Sequence, residues 1–103
     1  MSVFVAGTFD PFAYESVTVA DTAIGITPTL YSSAGAKALR AMVTAETAQM
    51  RYRMDGTSPT DAEGHLLNPF DALMLENSDQ IAAFKAIRVG AVSGVLKVTL
   101  LKR

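Results

Sequence analysis

The chain has 103 residues, 50% of them hydrophobic and 18% charged, with a formal net charge of -1 and no cysteine. That length holds one domain around one core, and the apolar content excludes a disordered chain. The missing cysteines exclude disulfides, a thiol nucleophile and thiolate metal sites, and the near-neutral charge gives no global attraction to nucleic acid or anionic membrane.

The first residues, Met1-Ser2-Val3-Phe4-Val5-Ala6-Gly7, lack the basic start and long apolar core of a secretory signal. No run approaches the ~20 apolar residues of a membrane helix, so assembly in a cytoplasm without a membrane partner is expected. Ser2 to Ala6 reads as a first strand or an extended arm, and Gly7 and Asp10-Pro11 break the chain just beyond it. Phe4, Phe9 and Phe12 place three aromatics in residues 1–12. This segment is either an edge strand folded onto the core or an arm that anchors in a neighbour's groove, which makes the three rings candidates for partner contact.

Tyr14 to Ala20 alternates with Val17 and Val19 on one face and Ser16 and Thr18 on the other, the two-residue period of a strand. Ile24 to Leu30 is β-branched but broken by Gly25 and Pro28, as in an edge or bulged strand. Gly35 to Thr47 has helix-forming composition. Leu39, Ala41 and Val43 nevertheless alternate with Arg40, Met42 and Thr44, and the β-rich flanks favour a strand. Met50, Tyr52 and Met54 alternate with Gln49, Arg51 and Arg53 in the next strand, which Asp55-Gly56 and Pro59 stop.

Asp55 to Gly64 is expected to be an exposed loop: Asp55 bonds to backbone ahead, Gly56 takes positive φ, and Pro59 prevents pairing. Leu73 and Leu75 mark a further strand. Gln80 to Arg88 keeps no strict period, because Ile81 and Ala83 fall on one face and Phe84 on the other, so a strand bulged near Ala83 is expected. Val95 to Leu101 alternates well. The whole, residues 1–103, reads as all-β, a single antiparallel β-sandwich of about seven or eight strands.

Acids precede bases along the chain. Asp10, Glu15 and Asp21 are the only charges before Lys37, whereas Lys85, Arg88, Lys97, Lys102 and Arg103 follow Asp79 with no acid among them. First and last strands lying side by side would neutralise each other, and this arrangement is favoured over head-to-tail complementarity between copies.

Candidate chemistry is sparse. His65 is the only histidine, near Asp61 and Glu63, but no serine or cysteine nucleophile motif accompanies it, so a histidine at a loop-to-strand junction is expected and no enzyme. Asp55, Asp61 and Glu63 lack the spacing of a calcium loop, and Gly90 with Gly94 lacks the context of a phosphate cradle. No cofactor is expected. Arg51 and Arg53 share a strand face without the interleaved aromatics of a nucleic-acid platform, since Tyr14 and Tyr31 lie elsewhere. Ion pairs with Glu46 or Glu76 would account for them, or a protein interface that uses arginine to bind carboxylates.

The run E-T-A-Q-M-R-Y-R-M-D-G-T-S-P-T-D-A-E-G-H-L-L, Glu46 to Leu67, resembles a pattern in small structural proteins of tailed bacteriophages and prophages. There, a strand ending T-x-E-T-A leads into I-R-Y-R-x-D-G-T-x-P-T, with Met50 here in the usual aliphatic place. The resemblance covers about two-thirds of the chain, from Gly35 onward. Y-x-x-D-G-T-x-P-T also occurs in immunoglobulin-like accessory modules of sugar-degrading enzymes, as a strand and turn without catalytic part. The phage resemblance implies a capsid decoration (cement) protein in the virion, homo-oligomeric and bound to the major capsid protein or another virion protein. A tail, baseplate or fibre component with receptor or glycan contact is the alternative.

Overall fold

The computed structural model describes residues 9–33 and 36–103. The chain runs β1 (Asp10–Val19), α1 (Pro28–Tyr31), β2 (Ser32–Ser33), β3 (Ala36–Lys37), β4 (Arg40–Glu46), β5 (Met50–Arg53), β6 (His65–Leu67), β7 (Ala72–Leu75), α2 (Ser78–Ala83), β8 (Lys85–Arg88) and β9 (Gly94–Lys102). Among the described residues, a four-stranded sheet ordered β1-β9-β4-β7 faces a three-stranded sheet ordered β6-β5-β8, with β2 and β3 as a separate ribbon. Every pairing is antiparallel. The architecture is an all-β sandwich.

Alternation places the core. Val17 and Val19 of β1, Ala41, Val43 and Ala45 of β4, Leu75 of β7, and Leu96, Val98 and Leu100 of β9 are buried on one face of the large sheet. Met50, Leu67 and Ala86 meet them from the small sheet, and Ile81 and Phe84 close one end. Among the described residues no polar or charged side chain is buried, so the interior carries no desolvation cost to offset. Gly94 leaves room for Met50, because a Cβ there would come within 2.8 Å of the Met50 sulfur and that side chain would have to shift.

First and last strands are neighbours as expected: Asp10 opposes Lys102 and Ser16 opposes Lys97, whose Nζ donates to the Ser16 hydroxyl at 3.1 Å. Glu15 instead accepts from the Thr27 amide and hydroxyl, both at 2.8 Å, and so ties β1 to the approach to α1.

Two expected strands are corrected. Gln80 to Arg88 is a helix followed by a strand. Asn77 caps α2 by accepting from the Gln80 amide at 2.9 Å, Gln80 Oε1 accepts from the Glu76 amide at 2.6 Å, and Asp79 sits favourably in the first turn. Ile81 and Phe84, three apart, are both buried, so the missing two-residue period was a helical one and no bulge is needed. Ile24 to Leu30 is not a strand either. Ile24 makes a single bridge to Ala86, and Pro28, with its fixed φ and absent N–H, starts the one-turn helix α1. The short strand β6 opens at His65, the loop-to-strand junction expected there, although three residues carry no readable period that would mark its extent.

Candidate functional site

The arginines of β5 are built into the following loop. Tyr52 and Met50 turn toward the core, which leaves Arg51 and Arg53 on the other side. Arg51 donates from Nε to the Asp61 carbonyl at 3.1 Å and from Nη1 to the Gly64 carbonyl at 2.8 Å, so its fork holds the far end of the 55–64 loop. Gly64 has φ +133°, and a Cβ there would lie 3.1 Å from the Tyr52 carbonyl. Pro59 is buried in this otherwise exposed loop.

Arg53 forms a two-pronged pair with Asp55, and Asp55 also accepts from the Thr57 amide at 3.2 Å. The Arg53 guanidinium, helped by that amide, holds the Asp55 carboxyl below the usual carboxylate range, and Asp55 in turn raises Arg53. Gly56 has φ +85° as the turn requires. The expected arginine partners Glu46 and Glu76 are not used: Arg40 takes Glu76 at 3.7 Å.

His65 opens β6 and stacks tilted on Tyr52, ring centroids 5.5 Å apart, while Tyr52 reaches Phe84 at 5.8 Å. Together with Arg53 and Glu63 it borders a shallow depression. No group of three His, Asp or Glu side chains is brought together among the described residues, so the loop acids Asp55, Asp61 and Glu63 do not converge.

The N-terminal aromatics fall into two groups. Phe4 lies outside the described residues. Phe9 is clasped by two cations, with the Arg40 guanidinium 4.4 Å and the Arg103 guanidinium 5.4 Å from its ring centre; Phe12 has Lys102 at 5.8 Å and packs against the core. Phe12 sits where the β1–β9 register shifts between Pro11 and Ala13. Leu101, level with Arg40 across β4 and β9, is 6% exposed yet stands outside the main core cluster. An apolar patch therefore lies on the outer side of the large sheet at this end.

The register also sets an uncharged row across that outer face: Tyr14, Thr99, Met42 and Met74, one from each strand, with Tyr14 60% and Met42 39% exposed. At the opposite end of the sheet is a residue that strand alternation does not single out. Phe70 is 92% exposed with φ +75°, at the third position of the turn Asn68-Pro69-Phe70-Asp71. The Asp71 amide donates to the Asn68 carbonyl at 3.0 Å, Asp71 Oδ2 accepts from the Asn68 amide at 2.8 Å, and the Phe70 amide donates to the Ala45 carbonyl at 2.7 Å. Proline second and positive φ third define a type II turn, in which glycine is the usual third residue. The N-P-F-D string carried this signal, but with phenylalanine in place of glycine it is easily read as apolar sequence.

No family model matches the chain, and neither the curated proteins nor the solved structures compared with it give a match.

Proposed function

We propose that this chain is a structural protein of a tailed-phage particle, a capsid decoration protein that bridges capsid subunits by binding and without turnover. The observation that carries the reading is the Glu46–Leu67 resemblance. In that run Arg51, Arg53, Asp55 and Gly56 build the strand and turn that carry the resemblance. The uncharged Tyr14–Met42–Met74 row supports it as a surface able to lie on the major capsid protein, where many weak contacts would add across a repeated shell. On this reading the protein is made in the host cytoplasm, forms a homo-oligomer and resides in the virion.

A tail, baseplate or fibre location is the second reading, favoured by the unlike ends of the sandwich, with cation-clasped Phe9 at one and projecting Phe70 at the other. Electron cryomicroscopy of virions carrying the tagged protein separates the two. Density at regular sites on the shell is expected. Density confined to the tail selects the second reading, and absence of the protein from virions overturns both.

A further inference from the structure

Phe70 has a complement on the same molecule. Phe70 lies where β7 begins and β4 ends, beside the exposed acids Glu46 and Asp71. On the opposite edge of the large sheet, where residues 24–31 are tied to β1 and bridged to β8, a cleft of about 350 Å³ opens between Ile24, Ile26, Pro28, Tyr31 and Phe84, with Lys85 on its rim. Its lining is mainly apolar, and Ile24 is 41% exposed within it. A cavity of about 150 Å³ is enough to hold one phenyl ring. Among the described residues Lys85 has no carboxylate partner, the ion pairs there being Arg40–Glu76 and Arg53–Asp55. One edge thus presents an aromatic knob flanked by acids, and the other an apolar socket flanked by a lysine.

We propose that copies of this chain associate head to tail, with Phe70 of one copy seated in the Ile24–Phe84 cleft of the next and Lys85 facing the acids beside the ring. Sites on opposite edges cannot satisfy each other within one molecule, so the contact is heterologous and generates rings or filaments rather than a twofold dimer. The left-handed backbone at Phe70, pinned by its bond to Ala45, fixes the direction in which the side chain leaves the turn and so limits the backbone ordering cost of association. This association does not depend on a virion location.

The test uses the purified full chain in sedimentation velocity up to about 1 mM, the weak end of measurable association. The wild-type protein is expected to form concentration-dependent oligomers. Phe70→Gly, which suits the turn and so keeps the fold, and Ile24→Asp, which spoils the socket, should each weaken self-association by at least about thirtyfold, as for an interface hot spot. Mixed in equal amounts, the two variants should form heterodimers and nothing larger, because each retains one working end. Should Ile24→Asp fail to fold, Lys85→Glu replaces it in both measurements. A wild-type protein that stays monomeric, a variant that associates as well as wild type, or a mixture that stays monomeric overturns the proposal.

Discussion

Several residues have environments that make their substitution informative. A phenylalanine in left-handed backbone costs about 1–2 kcal/mol that glycine does not incur, and the Phe70 side chain recovers none of this by burial. Phe70→Gly should therefore stabilise the monomer by about 1 kcal/mol in urea denaturation, whereas Phe70→Ala, which keeps a Cβ, should not. Thr47 shares the condition, at φ +79° in a three-residue turn closed by the Ala48 amide on the Glu46 carbonyl at 2.9 Å. Gly25 is the reverse case. A Cβ there would come within 2.7 Å of the Phe84 carbonyl, a backbone atom that cannot step aside, so Gly25→Ala should cost about 1–3 kcal/mol. Gly94→Ala meets the more pliable Met50 side chain and should cost less by the same denaturation measurement. Asp55 has a folded pKa below its unfolded value, so its pair with Arg53 contributes stability above the ordinary aspartate range. That contribution fades as pH falls through the lower folded value, and it is small because both groups are exposed. NMR titration of the Asp55 carboxyl should show a midpoint below that of free aspartate, and Arg53→Gln should move it back up.

The elements differ in how far local sequence specified them. β1, β4 and β9 alternate over long stretches, and their buried faces follow that alternation from Val17 to Val19, Ala41 to Ala45 and Leu96 to Leu100. The helix-prone composition of β4 was overridden because its alternating face is buried between β9 and β7. α2 was misjudged for the opposite reason: six residues hold fewer than two turns, too few for a helical period to stand out, and the decisive signal was the Asn77–Gln80 cap. Asn77→Ala should cost about 1 kcal/mol in thermal or urea unfolding and should speed amide exchange over Ser78–Ala83 more than elsewhere. The 55–64 loop was legible as a turn from D-G and S-P. Its attachment was not, because Arg51 reaches carbonyls ten and thirteen residues ahead, and nothing in a strand's alternation says where its outward side chain ends.

At the scale of the molecule, one core joins both sheets, and Phe84 is the largest side chain wholly inside it among the described residues. Phe84→Ala should cost about 3–5 kcal/mol, a large part of the roughly 5–15 kcal/mol available to a domain, and should lower the thermal midpoint far more than any surface change above. Sequence alone determined the all-β class, the strands with sustained alternation and the D-G turn, because each depends on local stereochemistry or on the need to bury one face, and the opposite charges of the two ends favoured the adjacency of the first and last strands. Only the tertiary structure decided that Arg51 and Arg53 hold a loop, that Phe9 is clasped by Arg40 and Arg103, and that Phe70 projects on the β7 side with an apolar cleft on the β1 side. Those features join residues far apart in the chain, and the distance between them is set by how the two sheets pack rather than by any pattern along the sequence.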